Sequence, residues 1–189
     1  MQTFYIKNMV CDRCKAAVKA AFLRAGATPL SVELGTVNTA DMPTSEQRAQ
    51  ITAELEAQGF ELLQDNRTQT VERIKALIIE LLRYTGDRAA LNRNVSEFLA
   101  DRLHSDYSAL SKLFSAETGN TIEKYVIMQK VERVKELLCY GELSLTEIAR
   151  TLNYSSVAYL SSQFKNVTGM TPSQYKSSDA KNRKELDRI

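Results

Sequence analysis

Near the start of the chain, hydrophobic and polar positions follow two different spacings, first that of a strand and then that of a helix. Residues 3–8 alternate apolar and polar side chains, which predicts a short strand with Phe4 and Ile6 on one face. Between Cys14 and Leu23 the apolar positions recur at helical spacing, and Gly26 supplies a stop signal. The pattern therefore predicts a strand followed by a helix.

The next stretch predicts the rest of a small α+β unit. Residues 30–34 and 36–39 alternate on either side of Gly35, which predicts a hairpin, and residues 60–63 predict a final strand. A second helix is expected between the hairpin and the final strand, beginning at residues 43–46 and ending at Gly59. Its expected apolar stripe consists of Ala49, Ile51, Ala53, Leu55 and Ala57. The resulting order βαββαβ is that of a ferredoxin-like domain, in which both helices cover one face of an antiparallel sheet.

A polar segment at residues 65–67 marks the expected end of this domain. The helix that follows has apolar residues at Val71, Ile74, Leu77, Ile78, Leu81 and Leu82. This stripe is too wide to face water, so we expect it to pack in the protein core or between domains, or to form a dimerisation surface. The expected domains are residues 1–65, a linker helix 66–92, a helical domain 93–178 and a basic tail 179–189.

An internal repeat with a constant offset of 50 residues dominates the second half. The repeated positions include Glu97/Glu147, Leu110/Leu160, Phe114/Phe164, Gly119/Gly169 and Tyr125/Tyr175. Each copy predicts two helices joined by a short turn, at residues 104–106 and 153–155. This arrangement is a helix-turn-helix, whose second helix is shaped to enter the major groove of DNA.

Residues 121–140 separate the two copies and contain neither Gly nor Pro, which predicts one uninterrupted helix. A helix of that length extends about 30 Å, close to the roughly 34 Å repeat of B-DNA. The spacing therefore allows a monomer to place two recognition helices in successive major grooves. The fold expected for the second half is all-α.

From Asn94 to Lys176 the sequence resembles the DNA-binding domain of AraC/XylS transcriptional regulators, most closely in residues 142–156 and 163–175. The resemblance implies recognition helices at residues 106–118 and 155–168. It also implies binding to double-stranded promoter DNA, activation or repression of transcription, and RNA polymerase as a further partner.

The side chains expected to face DNA are those of the two recognition helices that remain once the apolar core positions are set aside. In the first helix these are Tyr107, Ser108, Ala109, Ser111 and Lys112, and in the second Ser155, Ser156, Ala158, Tyr159, Ser162, Gln163 and Lys165. Lys112 suits a guanine edge or a phosphate, and the alternative is a solvated lysine with no specific contact. Ser162, its counterpart in the repeat, stands where many relatives carry Arg, which predicts weaker base reading by the second helix. Phosphate contacts are expected from Lys165, Lys176, Lys181, Arg183, Lys184 and Arg188.

Residues 9–14 carry a Cys-x-x-Cys motif, formed by Cys11 and Cys14, after the first strand and at the start of the first helix. Here the chain resembles heavy-metal-associated domains, the fold of copper chaperones. Two thiolates at a helix N-terminus suit Cu(I) or another soft metal. The alternatives are a reduced structural pair and a redox sensor.

Composition narrows the function further. The 189 residues are 43% hydrophobic with only 3 prolines and 7 glycines, which favours a folded, mostly helical chain over a disordered or all-β one. No apolar run is long enough to span a membrane, and no export signal is evident, so three cysteines predict a reduced, cytoplasmic protein. A single histidine argues against an enzyme with a Ser-His or Cys-His nucleophile.

Charge is distributed unevenly along the chain. Residues 1–66 hold six Lys and Arg against eight Asp and Glu, whereas the remainder holds nineteen against fifteen. A polyanionic partner is therefore expected at the second half. Two functions compete: a transcription factor whose first domain senses a metal, thiol state or partner, and a metallochaperone with a helical interaction module. The repeat favours the transcription factor.

Overall fold

The computed structural model describes residues 1–83 and 94–178. The chain divides into two compact units, Met1–Leu77 and Ile78–Ile189. Residues 84–92 of the expected linker and the expected basic tail, 179–189, lie outside the described residues, and the domain division drawn from the sequence stays a prediction.

A four-stranded antiparallel sheet forms the first unit, with the strand order β2-β3-β1-β4. The elements occur in the predicted order βαββαβ. Their bounds are β1 Gln2–Lys7, α1 Asp12–Arg24, β2 Pro29–Glu33, β3 Thr36–Thr39, α2 Ser45–Glu56 and β4 Glu61–Leu63. The described residues therefore combine a small N-terminal sheet with a mostly helical C-terminal region, as expected.

The core of this unit lies between the sheet and its helices. Phe4 and Ile6 are buried as predicted, and the ring of Phe4 meets that of Phe22 edge-on, with centroids 5.5 Å apart. In α2, Ile51 and Leu55 are buried. The other members of its predicted stripe, Ala49, Ala53 and Ala57, are exposed. That part of the prediction was wrong because residues two apart lie on different sides of a helix, whereas residues four apart share a face.

Helix α3, Asn66–Arg83, follows directly. Its start is capped by Asp65, whose carboxylate accepts the backbone N–H groups of Arg67 and Thr68 at 3.1 and 3.0 Å. All six predicted apolar positions between Val71 and Leu82 are buried within the single chain, as the packing interpretation predicts. The oligomeric state stays a prediction.

One turn in the first unit requires a glycine. Gly35 joins β2 to β3 with φ +77°, a left-handed conformation that favours glycine. A Cβ atom at this position would meet the Cβ of Ala76 in α3 at 3.4 Å, an ordinary van der Waals contact. The backbone conformation of the hairpin turn, and not crowding by α3, therefore accounts for Gly35.

The second unit is helical throughout its described secondary structure. Its further helices are α4 Val95–Leu103, α5 Tyr107–Thr118, α6 Ile122–Tyr140, α7 Leu145–Thr151, α8 Val157–Thr168 and α9 Pro172–Ser177. The helix-turn-helix pairs expected from the repeat are present as α4–α5 and α7–α8, and α6 is the uninterrupted helix expected between them. Within residues 1–83 and 94–178, no helix combines the length and apolar character needed to cross a bilayer.

Candidate nucleic-acid interface

The two helix-turn-helix pairs turn in similar ways. Each turn passes through a left-handed residue, His104 with φ 49° in the first pair and Asn153 with φ 52° in the second. Helix α5 begins after Asp106, two residues beyond His104, and α8 begins after Ser156, three residues beyond Asn153. The second turn is therefore one residue longer, while both second helices keep the 50-residue offset.

A side-chain cap fixes the start of each second helix. The Asp106 carboxylate accepts the backbone N–H groups of Ser108 and Ala109 at 2.9 and 3.2 Å. Hydrogen bonds from the Ser108 hydroxyl and from these two amides hold the pKa of Asp106 below its ordinary value. In the second pair, the Ser156 hydroxyl accepts the N–H of Tyr159 at 3.0 Å. Both caps satisfy amides that the helix itself leaves unpaired.

An aromatic pair anchors each second helix to the helix that follows it. Phe114 meets Tyr125 edge-on at 5.6 Å between centroids, and Phe164 meets Tyr175 in the same way at 5.5 Å. All four rings are buried. The repeat in the sequence is thus a repeat in three-dimensional packing.

The end of each second helix is also duplicated. The hydroxyls of Thr118 and Thr168 donate to the backbone carbonyl four residues earlier, at 2.7 and 2.8 Å. Gly119 and Gly169 then end the helices with φ +70° and +79°, which is the left-handed conformation common at helix ends. Start, core and end of α5 and α8 are therefore built by equivalent residues.

Helix α6 separates the two pairs and contains 19 residues, so it is about 28 Å long. Its start is capped by the Thr121 hydroxyl, which accepts the N–H of Lys124 at 3.1 Å. Its length is close to the roughly 34 Å repeat of B-DNA. The helix can therefore act as a spacer of the predicted size.

On α5 the structure places most of the predicted side chains in solvent. Ser108, Ala109 and Lys112 are exposed, and Ser111 is half-buried. Tyr107 is not free as expected, because its hydroxyl donates to a carboxylate oxygen of Glu123 in α6 at 2.5 Å. Burial first, and then this hydrogen bond, raise the pKa of the Tyr107 hydroxyl.

The second recognition helix begins at Val157, two residues later than predicted. Its predicted DNA-facing residues, and those just before it, are all exposed: Ser155, Ser156, Ala158, Tyr159, Ser162 and Lys165. Tyr159 is the largest of them, with 54% of its surface accessible. Ser156 also serves as the N-cap, so its hydroxyl is partly engaged. Gln163 is half-buried, and its side-chain oxygen accepts the Tyr154 hydroxyl at 2.9 Å, which corrects the expectation that it is free.

Exposed cations accompany these surfaces. Lys112 lies on α5, Lys165 on α8 and Lys176 on α9, and all three are exposed. An exposed lysine is free to reach a phosphate oxygen of a DNA backbone that lies against the same surface. The other basic residues predicted to contact phosphate, Lys181, Arg183, Lys184 and Arg188, lie outside the described residues.

The Cys-x-x-Cys motif lies in the first unit. Cys11 is the N-cap residue of α1, and its Sγ lies 3.4 Å from that of Cys14. Burial acts to raise the pKa of Cys11, but the nearby backbone of Cys14, the Cys14 thiol and the positive charge of Arg13 outweigh it, so the pKa is lowered. For Cys14, burial dominates and the pKa is raised. No group of three or more His, Cys, Asp or Glu suited to a metal occurs in the described parts of the chain.

Sequence reasoning missed two residues of α6 that line the space beside α5 and α8. Glu123 holds Tyr107, and the Lys130 ammonium lies 5.0 Å from the ring centroid of Tyr154. Both lie in a helix with many charged residues, and in the sequence such residues indicate only a solvent-exposed face. Only their spacing of seven residues, two helical turns, indicates that they share one side of α6.

Comparison with known proteins finds one matching family model and several similar regulatory proteins. The family model of a helix-turn-helix domain matches residues 99–178. The chain is 32% identical over 100 residues to the xylose operon regulatory protein of Haemophilus influenzae, which covers 53% of this chain and 26% of that protein. It is 31% identical over 99 residues to the xylose operon regulatory protein of Escherichia coli K12, covering 52% and 25%. The chain thus spans about a quarter of the length of these relatives.

Among solved structures, the chain is similar to a DNA-binding transcriptional dual regulator from Escherichia coli K-12. The TM-score is 0.49 at 22% identity, and the match covers 64% of this chain and 97% of that one. The family match begins within α4 and extends through α9, so it falls on the duplicated helices. Residues 99–178 therefore match a helix-turn-helix domain, and the chain is similar to operon regulatory proteins.

Proposed function

We propose that this chain, whose residues 99–178 match the family model of a helix-turn-helix domain, is a sequence-specific DNA-binding transcriptional regulator of the AraC type. The observation that carries the proposal is the duplication of the recognition helix with its cap, its aromatic anchor and its glycine end. A helical bundle that only binds a protein partner has no need of two such units separated by a spacer close to one turn of DNA. We assign it no enzymatic activity and expect it in the cytoplasm.

Helices α5 and α8 enter successive major grooves from one face of the duplex in this proposal. The spacer α6 has the length for it, and each helix presents short polar side chains near its N-terminus. One chain then reads an asymmetric site, and no dimer is required. RNA polymerase is the further partner that a regulator acting at promoters would contact.

Base reading is divided unequally between the two helices. Lys112 on α5 is a long exposed cation that can reach the acceptor edge of a guanine, whereas Ser162 on α8 occupies the equivalent place with a single hydroxyl. The second helix therefore relies more on phosphate contacts, with Lys165 and Lys176 as the exposed donors.

Capture of genomic DNA tests the proposal. The full chain is incubated with sheared genomic fragments at two salt concentrations, and the retained DNA is sequenced. We expect a few enriched promoter fragments sharing a motif, and the enrichment should be reduced in Lys112→Ala. Lys19→Ala is the matched control because Lys19 is an exposed lysine of α1, in the first unit. Retention without sequence preference contradicts the proposal.

For the first unit we propose a ferredoxin-like domain related to heavy-metal-associated domains. The order βαββαβ, the antiparallel strand order and the position of the Cys-x-x-Cys motif before α1 support it. Cys11 and Cys14 fit a Cu(I) ion, which accepts two thiolates, better than a zinc ion, which needs four ligands. The lowered pKa of Cys11 favours the thiolate that binds metal.

A metal-trafficking role is the second candidate function, and the 3.4 Å approach of the two sulfur atoms is the observation that favours it. Titration of the reduced chain with Cu(I) against a competing chelator tests metal binding, with the Cys11→Ser/Cys14→Ser double variant as the control. A DNA titration with and without Cu(I) then separates the candidates. Metal can change DNA affinity only if it binds two conformations of the protein unequally. Equal DNA affinity in both states would leave metal binding uncoupled from regulation.

A further inference from the structure

A cleft of about 430 Å³ opens between the two helix-turn-helix pairs of the second unit. Its floor is one face of α6, formed by Ile122, Val126 and Ile127. Tyr107 of α5 lines one side, and Tyr159 of α8 lines the other. The cleft therefore has an apolar floor and touches both recognition helices.

Lys130 supplies a positive charge at this floor. It is half-buried, its ammonium lies 5.0 Å from the ring centroid of Tyr154, and burial lowers its pKa. Among residues 1–83 and 94–178, no carboxylate forms an ion pair with it. A partly desolvated ammonium over an aromatic face gains most from an anion that enters the same recess.

The acidic residue of the cleft is already engaged. Glu123 lies two turns before Lys130, about 10 Å along the helix axis, and accepts the Tyr107 hydroxyl. The polar ends of the cleft thus differ, with a paired carboxylate at one end and, at the other, a cation to which the described part of the chain brings no counter-ion. This asymmetry selects the orientation and charge of a ligand.

We propose that this cleft binds a small organic acid, with its carboxylate on Lys130 and its apolar body against Ile122, Val126 and Ile127. The volume falls in the range of small-molecule sites, roughly 300–1,000 Å³. An apolar floor with one convergent cation suits an aromatic or short aliphatic carboxylate. A DNA phosphate fits less well, because the backbone is met by exposed lysines such as Lys112 and Lys165 and has no apolar part to cover this floor.

A ligand in the cleft acts on DNA binding through the two tyrosines. Tyr107 belongs to α5 and Tyr159 to α8, so an occupant that touches both fixes the placement of one recognition helix relative to the other. This consequence rests on the proposed function, whereas ligand binding itself does not. The two are therefore tested separately.

Calorimetry on the full chain without DNA tests the site. The probes are benzoate, indole-3-acetate and octanoate, each compared with its neutral amide. We expect saturable binding of at least one carboxylate, and a loss of affinity of about tenfold or more for its amide and for Lys130→Met, as expected when a charge-assisted hydrogen bond is removed. Lys130→Arg should keep most of the affinity. Lys124→Met is the matched control because Lys124 is exposed on the same helix and does not line the cleft.

Circular dichroism and thermal unfolding verify that each variant is folded. Three results would overturn the proposal: no saturable binding of any of the three carboxylates, equal binding of acid and amide, or equal binding by Lys130→Met and the native chain. A fourth is a DNA titration without added acid in which Lys130→Met lowers the salt dependence by about one phosphate contact, since that would assign Lys130 to the DNA backbone. Failure to bind DNA at all would instead refute the proposed function and leave the calorimetric result intact.

Discussion

Phe164 packs edge-on against Tyr175, with the two ring planes at 72° and neither ring exposed by more than 3%. The equivalent pair fifty residues earlier, Phe114 and Tyr125, has the same geometry with ring planes at 61°. In each case the phenylalanine belongs to a recognition helix and the tyrosine to the next helix. An aromatic contact of the same kind therefore helps to position each recognition helix.

Phe164→Ala should lower the free energy of unfolding by about 3–5 kcal/mol, because it removes a fully buried ring and leaves a cavity beside Tyr175. Phe114→Ala should have an effect of similar size. Urea denaturation followed by circular dichroism measures both. Val167→Ala is the control on the same helix, since Val167 is 45% exposed and its loss should change stability by less than about 0.5 kcal/mol. Equal midpoints for Phe164→Ala and Val167→Ala would contradict the packing described.

The hydrogen bond between Tyr107 and Glu123 predicts a pH dependence. The Tyr107 hydroxyl, with smaller contributions from a backbone amide and Thr121, holds the pKa of the Glu123 carboxyl below its ordinary value. A lowered folded-state pKa stabilises the fold above the unfolded-state pKa of about 4.3, and this stabilisation is lost as pH falls through the lowered value. Because solvent screens this exposed pair, the effect should be at most about 1 kcal/mol.

Tyr107→Phe tests that dependence directly. The native chain should be more stable than the variant at pH 7, and the difference should shrink when both are measured near pH 3. Glu142→Gln is a control for general loss of negative charge, because Glu142 is an exposed carboxylate between α6 and α7. A stability difference that is the same at both pH values would show that Glu123 does not depend on the Tyr107 hydroxyl.

Much of the second unit could be predicted because its structure is local and duplicated. The apolar positions Leu110 and Phe114 and the glycine at 119 are each sequence signals with a local physical cause, and a second copy fifty residues later confirms the register. Tyr107 could not be placed in the same way. It lies on the free face of α5 by periodicity, and only the approach of α6 brings Glu123 within reach of its hydroxyl.

The first unit shows where periodicity fails. Alternation placed Phe4 and Ile6 correctly in a strand, but three small alanines of α2 were assigned to a stripe that a helix cannot form. Alanine is a weak indicator of burial because it is favourable in a helix whether exposed or not. Lys130 was missed for another reason: a lysine in a charged helix carries no sign of burial until Tyr154, from the turn between α7 and α8, is seen to cover it.

Unequal base reading by the two helices gives a third prediction. Lys112→Ala should cost about 1–3 kcal/mol at one base pair of the enriched site and relax preference there, whereas Ser162→Ala should change affinity by less than about 0.5 kcal/mol. Fluorescence anisotropy with a set of single-base variants of the site measures both effects. A uniform loss for Lys112→Ala across all sites would make Lys112 a phosphate contact. Equal sensitivity of both half-sites would show that DNA shape or backbone amides replace the missing long side chain on α8.

The cysteine pair gives a fourth prediction. Because the pKa of Cys11 is lowered and that of Cys14 is raised, Cys11 should be alkylated by iodoacetamide faster than Cys14 near neutral pH. Mass spectrometry of partially labelled, reduced chain identifies the modified residue. The rate for Cys11 should also begin to rise at a lower pH than the rate for Cys14. Preferential labelling of Cys14 would reverse the assignment of the more reactive thiol.

Hydroxyl-radical footprinting of the full chain on its enriched DNA site tests the central claim most directly. Reading by α5 and α8 in successive major grooves predicts two protected windows on one face of the duplex, with centres about one helical turn apart, roughly 10–11 base pairs. Leu160→Asp, which places a charge at a buried position of α8, should abolish the second window and leave the first. A single window in the native chain, or two windows that Leu160→Asp leaves unchanged, would contradict the account.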